Sequence, residues 1–408
     1  MFAQSTIRIE LDALASNLAS VAAHVGGGLE RLCAVVKADA YGLGAVRMAA
    51  AMHRIGISRF AAYGPSEAAE VADASPDSVV IVLMPVRELA RDARSISLLG
   101  RQRLHFTAHH PAQVRSLEAE ATRLGVVIPL QLELDTGMGR GGCEEGEAEE
   151  ILQIIAASPR LRLAGLMSHL PDAVDDPFSA IERGRRFDRF VDSMGALIPE
   201  GVVRHVAATA SLESSPLHFD QVRIGLAWIG FGSSVLAGRP DPMPLRSIFS
   251  WWSTVIQTRR LEPGRTIGYG CTMLTDRETL TGLIPIGYAD GLPAVSGSES
   301  HRLVIHGRRG AVSVPVLGRM NMDQCVVDLT DVGPLDDTTA VEVISADPDS
   351  PVRLDRVAAR AGVLPYQLLC GISHRIPRLL VAGGGAVADR GDSIITEAES
   401  ESRRSIGG

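Results

Sequence analysis

The chain reads as an α/β protein, with an N-terminal (β/α)8 barrel of the TIM type followed by a C-terminal mainly-β domain. Three observations predict this. Apolar runs alternate with Ala- and Glu-rich amphipathic segments from Leu32 to about Gly230. The runs lack polar alternation, as strands buried on both faces do. The rhythm stops at Arg239-Pro240-Asp241-Pro242-Met243-Pro244, after which short strands with glycine and proline turns take over. At 408 residues the chain exceeds one typical domain but accommodates a large barrel plus a smaller module.

In order, the expected barrel strands are Ala34–Lys37, Arg59–Tyr63, Val79–Met84, Leu104–Thr107, Val127–Asp135, Leu163–His169, Val202–Ala207 and Val222–Leu226. Helices are expected between most of them, for example over Ser66–Ala74 and Glu144–Ala157. Eight such units in roughly 200 residues match a barrel whose active site lies at the carboxyl ends of its strands. A doubly wound open sheet is the competitor, and periodicity does not separate the two. Beyond the proline cluster, Trp252–Ile256, Leu280–Pro285, Arg302–Ile305 and Cys325–Leu329 read as short strands, and Leu354–Ala361 as a helix. The expected organisation is a barrel over residues 1–240, a β-domain over 245–382, and a disordered tail over 383–408, where little can be buried.

Composition narrows the function. The formal net charge of -8 argues against a nucleic-acid or anionic-membrane surface. No apolar run is long enough to span a bilayer, and Met1-Phe2-Ala3-Gln4-Ser5 lacks the pattern of a signal peptide. Five cysteines, widely spaced and without C-x-x-C, fit reduced cytoplasmic thiols and neither a disulfide framework nor a metal site.

The chemistry-bearing residues follow the expected strand ends. Val35-Val36-Lys37 ends a buried run and opens into Tyr41-Gly42-Leu43-Gly44. Burial disfavours an ammonium, which suits a lysine to Schiff-base chemistry with an aldehyde. The same position also suits a lysine snorkelling to solvent. After further strand ends come Asp135-Thr136-Gly137-Met138-Gly139-Arg140, then Ser168-His169, Thr209 and Arg223. Cations converging on one barrel mouth would take an anionic ligand bearing a carbonyl. Four of the five tyrosines lie beside glycine or proline in expected turns: Tyr41, Tyr269, Tyr288 and Tyr366. Glycines on both sides of Tyr269 permit close approach to another surface. For Tyr288, a structural turn and a functional role are equally compatible with the sequence.

Ala34-Val35-Val36-Lys37-Ala38-Asp39-Ala40-Tyr41-Gly42 resembles the pyridoxal-phosphate lysine motif of bacterial alanine racemases. The resemblance runs from Ile9-Glu10-Leu11-Asp12 to Arg375-Ile376-Pro377-Arg378. It takes in Gly268-Tyr269-Gly270, Ile284-Pro285-Ile286-Gly287-Tyr288-Ala289-Asp290-Gly291 and Gly318-Arg319-Met320-Asn321-Met322-Asp323-Gln324. It implies pyridoxal 5'-phosphate as cofactor, a small amino acid as substrate, and a head-to-tail homodimer whose sites combine one barrel with the partner's β-domain. Lys37 resembles the lysine that holds the cofactor and serves as one base, and Tyr269 the second base on the opposite face. Tyr41, Thr209, Tyr366 and the backbone at Gly225 and Leu226 resemble phosphate contacts. Arg223 matches the arginine facing the pyridine nitrogen, with His169 expected to be hydrogen-bonded behind it. Arg140 and the Met322 backbone resemble groups that orient the substrate carboxylate; Tyr288, Arg319 and Asp323 resemble pocket or entrance residues.

The departures are specific. Position 133, a lysine in many members and there carbamylated, is Glu133 here. Its carboxylate is expected to pair with Arg140 directly. Ala208 stands where asparagine is common, and Leu170 where phenylalanine is common. The expected reaction is interconversion of L- and D-alanine. Alternatives are a racemase of another or a broader set of amino acids, and a non-catalytic cofactor carrier built from a single barrel. The β-domain bearing Tyr269 argues against the carrier. A fold-related decarboxylase would need a catalytic cysteine in its β-domain, whereas Cys325 lies within a strand-like run.

Overall fold

The computed structural model describes residues 5–236, 243–293, 301–333, 335, 339–382, 386–388 and 394–395. Most of the proline cluster at 239–244, and most of the tail expected over 383–408, lie outside them. The chain forms two compact units, one of residues 15–245 and one of residues 1–14 with 246–408.

The first unit is the expected barrel. If β1 is the strand Thr6–Glu10, its eight strands are β2 (Leu32–Val35), β3 (Arg59–Ala62), β4 (Val79–Val82), β5 (Leu104–Ala108), β6 (Ile128–Glu133), β7 (Leu161–Met167), β8 (Val203–His205) and β9 (Val222–Ile224). They pair in parallel in sequence order, and β9 returns to pair with β2. A bridge between Ala208 and Arg223, with Arg223 N–H donating to the Ala207 carbonyl at 3.0 Å, brings β8 to β9. That contact closes the ring and disposes of the open-sheet alternative. Every residue of β5 and β6 is buried, which is why neither shows polar alternation. The helices between strands carry their own start signals. Proline occupies the first turn of Pro65–Ala74, and Glu144 with Glu147 forms a capping box before Glu145–Ala157. Phe60, Phe106 and Trp228 are fully buried, each contributing roughly 2–3 kcal/mol of burial.

The second unit corrects the expected boundary at residue 1. β1 pairs antiparallel with β10 (Phe249–Thr254) and parallel with Arg378–Ala382, so it belongs to the β-unit and not to the barrel. Its sequence explains this. Ile7 and Ile9 are fully buried between exposed Arg8 and half-buried Glu10, the alternation of a sheet with one covered face. The sheet runs Gln257–Leu261, Thr279–Ile284, Cys325–Asp328, Gly310–Leu317, Arg302–Gly307, Ala340–Ile344, β10, β1, Arg378–Ala382, Ala386–Ala388 and Ile394–Ile395. The last two strands fall within the stretch expected to be a tail: Ala386–Ala388 pairs with Arg378–Ala382, and Ile394–Ile395 pairs with Ala386–Ala388. Tyr366, expected in a turn, sits in the first turn of helix Pro365–Gly371. No helix among the described residues is long and apolar enough to cross a membrane.

Candidate active site

The lysine segment is the least ordinary backbone in the barrel. β2 ends at Val35, and Lys37 starts a single turn through Gly42. Within it Ala38, Asp39, Ala40 and Tyr41 all have φ between 52° and 56°, a left-handed helical turn built without glycine. Such residues normally visit this region singly, because Cβ crowds the following carbonyl. Here two carboxylates hold the turn. Glu67 accepts from the Asp39 N–H and from the Tyr63 N–H, both at 2.9 Å, tying the ends of β2 and β3 together. The Asp39 side chain accepts from the Ala45 N–H at 2.7 Å. The turn leaves Lys37 half-buried at the strand end and turns Tyr41 into the fold, where it is 6 % exposed.

Tyr41 then meets the loop after β9. A Cβ at Gly225 would collide with the Tyr41 hydroxyl, so glycine there leaves room for it. Thr209 is buried, and its hydroxyl accepts from the N–H groups of Gly225 at 3.0 Å and Ala227 at 3.4 Å. Gly225 precedes Leu226, which opens the short helix Leu226–Ile229. Tyr41, Thr209, Gly225 and Leu226 are therefore brought together beyond the ends of β8 and β9, the region where barrels of this type hold phosphate.

Arg223 is 4 % exposed and fixed by four hydrogen bonds. Its Nη1 donates to the His205 carbonyl at 2.6 Å and to His205 Nδ1 at 2.9 Å. Its Nη2 donates to the carbonyls of Ser168 at 2.7 Å and Val206 at 3.2 Å. Among the described residues that leaves Nε–H as the donor available to a ligand. The histidine behind Arg223 is thus His205, not His169 as expected. His169 is close enough to feel the same charges. Burial, then the cations of Arg223, Arg140 and Lys37, push its pKa down to about 3. Lys37, Arg140, His169 and Arg223 therefore share one electropositive barrel mouth, with His169 neutral among them.

Arg140 is carried by a loop pinned from within. The Asp135 carboxylate accepts from the N–H groups of Gly137, Met138 and Gly139 at 2.8, 2.7 and 2.9 Å. Arg140 itself is exposed and has no ion-pair partner among the described residues. The pairing of Glu133 with Arg140 is accordingly corrected. Glu133 lies 3.4 Å from His109 Nδ1, a nitrogen that also accepts from the Gly142 N–H at 2.9 Å. Burial lowers the pKa of Arg223, and the Glu133 charge opposes that shift. His109 lies just beyond the end of β5 and went unnoticed in the sequence, where nothing but its place after that strand marks it.

The β-unit gathers its own set. Tyr269 is 69 % exposed in a tight turn whose flanking Gly268 and Gly270 have φ near 76° and 75°. A Cβ at Gly268 would approach the Arg319 backbone nitrogen to 2.9 Å, so that glycine allows Arg319 to pack against the turn. Ala289 N–H donates to the Met322 carbonyl at 2.9 Å and Tyr288 N–H to the Asn321 carbonyl at 3.2 Å, interlocking the two loops. Buried Asp290 accepts from Gly287 N–H and from Arg375, which also reaches Asp323 at 2.8 Å. Tyr288 and Met322 are exposed beside them. Burial pushes the Tyr366 hydroxyl up to about 12. No His, Cys, Asp and Glu cluster able to hold a metal is found among the described residues.

The residues present fit pyridoxal 5'-phosphate. Lys37 offers an amine, the Tyr41–Thr209–Gly225 corner polar groups suited to a phosphate, and Arg223 an Nε–H donor suited to a ring nitrogen.

Comparison with known proteins agrees. Residues 9–232 match the model of the alanine racemase N-terminal domain, and residues 248–380 that of the alanine racemase C-terminal domain. An alanine racemase of Synechocystis sp. is 31% identical over 378 residues, covering 92% of this chain and 98% of that protein. One of Streptomyces coelicolor is 32% identical over 394 residues, covering 91% and 95%. A crystal structure of alanine racemase from Bartonella henselae with covalently bound pyridoxal phosphate superposes with a TM-score of 0.77 at 23% identity, covering 93% of this chain and all of that one. With both domain models matched in order along nearly its whole length, the chain belongs to the alanine racemase family.

Proposed function

We propose that the protein interconverts L- and D-alanine with pyridoxal 5'-phosphate, using one base on each face of the substrate carbon. When bound, the cofactor supplies an aldehyde for covalent capture and a ring that takes up the electrons of the broken Cα–H bond. Inverting Cα requires a proton to leave one face and another to arrive on the opposite face. A single lysine cannot serve both without crossing the ring.

In this reading Lys37 Nζ anchors the cofactor and moves the proton on one face, and Tyr269 Oη, from a second copy of the chain, moves it on the other. Tyr41, Thr209, Tyr366 and the backbone at Gly225 and Leu226 hold the phosphate. Arg223 presents Nε–H to the ring nitrogen, and as a permanently charged donor it leaves that nitrogen unprotonated. A weaker electron sink limits side reactions such as transamination. Arg140 and the Met322 backbone orient the substrate carboxylate, while Tyr288, Arg319 and Asp323 border the entrance. Residues 15–245 form the cofactor-binding part, and the exposed Tyr269, Tyr288 and Met322 suit a β-unit that completes the site of a partner in a homodimer. The five free cysteines, three of them buried, suit a reducing cytoplasm.

The observation that carries this reading is topological: Lys37, Arg140 and His169 follow the carboxyl ends of β2, β6 and β7, and Arg223 lies on β9 of the same barrel. The test incubates the purified protein with each L-amino acid in deuterated water and follows D-isomer and Cα exchange. Alanine should yield both, and Tyr269→Ala should make exchange from the two enantiomers unequal. No D-product from any amino acid would remove the reading.

A further inference from the structure

Behind Arg223 on β9, the barrel interior holds a chain of polar side chains that the reaction above does not use. It runs from Arg223 through His205 on β8 and Gln131 on β6 to His105 on β5. The spacings are alike: Arg223 Nη1 to His205 Nδ1, His205 Nε2 to Gln131 Oε1, and Gln131 Nε2 to His105 Nδ1 are each 2.9 Å. All four side chains are buried, at 4 %, 0 %, 4 % and 8 % exposure. Room for the Gln131 carboxamide comes from Gly165 on β7, where a Cβ would strike Oε1.

Donor and acceptor rules give this chain one direction. A guanidinium has donors only, so His205 Nδ1 must present its lone pair. An imidazolium at His205 would set one N–H against another at 2.9 Å and is excluded by the geometry. Neutral His205 then carries its proton on Nε2 and donates it to Gln131 Oε1. The Gln131 amide, its oxygen committed, donates through Nε2 to His105 Nδ1, which must likewise be bare. Each link leaves the next no choice. Burial, with help from Arg223, also holds the His205 pKa well below the usual histidine range, and burial pushes His105 down to about 3.

We propose that Gln131 and His105 are positioning residues for Arg223, acting through His205. The chain locks the His205 ring in the orientation and tautomer that occupy Arg223 Nη1. Because Nη2 is taken by the Ser168 and Val206 carbonyls, Nε–H is then the donor turned to the ligand. Without Gln131, the ring can flip about its Cβ–Cγ bond and shift its proton, and the guanidinium loses a fixed partner. The inference rests on Arg223 facing the cofactor ring.

The test uses full-length enzyme, cofactor-free and cofactor-loaded, with histidine ring nitrogens labelled for NMR. Wild-type His205 and His105 should both be neutral with bare Nδ1. Gln131→Leu should leave His205 as a mixture of tautomers and lower kcat for alanine roughly tenfold at an unchanged KM, as expected from the loss of one buried charge-linked hydrogen bond. Gln131→Glu still accepts from His205 Nε2 but offers His105 Nδ1 only an acceptor. It should restore the His205 tautomer and most of kcat while forcing His105 to carry a proton on Nδ1. A protonated His205 or one with Nδ1–H in the wild type would overturn the proposal. So would a Gln131→Leu enzyme, folded and loaded, whose His205 tautomer and kcat match the wild type. The tautomers are read without turnover, so an inactive wild type with the expected His205 state would count against the reaction and not against the chain.

Discussion

Replacing Ala38 by glycine should stabilise the protein, although glycine normally weakens a helix. Ala38 has φ 55° and ψ 50° in the left-handed turn after Lys37, and it is exposed, so removing its methyl group opens no cavity. A non-glycine residue in this region costs about 1–2 kcal/mol. Glycine abolishes that strain but brings roughly 0.5–1 kcal/mol of extra chain entropy to the unfolded state. The net expectation is a gain of about 0.5–1 kcal/mol. The matched control is Ala119→Gly, an exposed alanine in the right-handed helix Pro111–Leu124, where the same change should cost about 1 kcal/mol. Urea denaturation of the cofactor-free protein measures both. The midpoint should rise for Ala38→Gly and fall for Ala119→Gly, with unchanged slopes. Equal losses in the two variants would refute the argument that the turn stores strain held by Glu67 and Asp39.

Two other outcomes follow from the same geometry. Gly225→Ala places a methyl group against the Tyr41 hydroxyl; overpacking of about 1–3 kcal/mol corresponds to roughly 5- to 150-fold weaker binding. Titration should show this for pyridoxal 5'-phosphate and much less for pyridoxal, which lacks the phosphate; equal losses would place Tyr41 elsewhere than at the phosphate. His105 and His169, both pushed down to about 3, stay neutral in the folded protein while their unfolded forms take up protons below pH 6.5. Their contribution is therefore complete above pH 6.5 and is lost as pH falls toward 3, at up to about 1.4 kcal/mol per pH unit for each histidine. Urea midpoints at pH 7.5, 6.5 and 5.5 should be flat and then fall; a midpoint rising toward acid would contradict neutral histidines.

The eight barrel strands were legible because strands buried on both faces cannot alternate, β5 and β6 above all; their closure into a ring was read from the count of eight units and not from the pattern. β1 was misplaced by the same logic left unapplied. Ile7-Arg8-Ile9-Glu10 alternates, and that alternation belongs to a sheet with one covered face, the β-unit. The left-handed turn left no mark in Ala38-Asp39-Ala40-Tyr41, since none of these types demands positive φ. It is imposed by Glu67, 28 residues from Asp39. The choice between His169 and His205 as the partner of Arg223 depended on strand order: β8 lies between β7 and β9, so the histidine beside Arg223 comes from β8, while His169 follows β7, one strand further round. Glu133 failed for a different reason. The spacing to Arg140 was right, but a loop pinned by Asp135 carries Arg140 outward while His109 takes the space beside Glu133.

The placement of β1 has a consequence for how the molecule is made. Ile7 lies opposite Trp251 and beside Arg378, so β1, which is made before the barrel, finds its neighbours only after it. Until residue 249 emerges, that strand is an orphan with open edges at the head of a barrel that can already assemble behind it. Contacts spanning more than 240 residues of chain also place the β-sheet among the slowest parts to form. A racemase ordered in this way would assemble its lysine-bearing half early and acquire the tyrosine-bearing half only once β1 has been stitched to β10 and Arg378–Ala382 in one sheet.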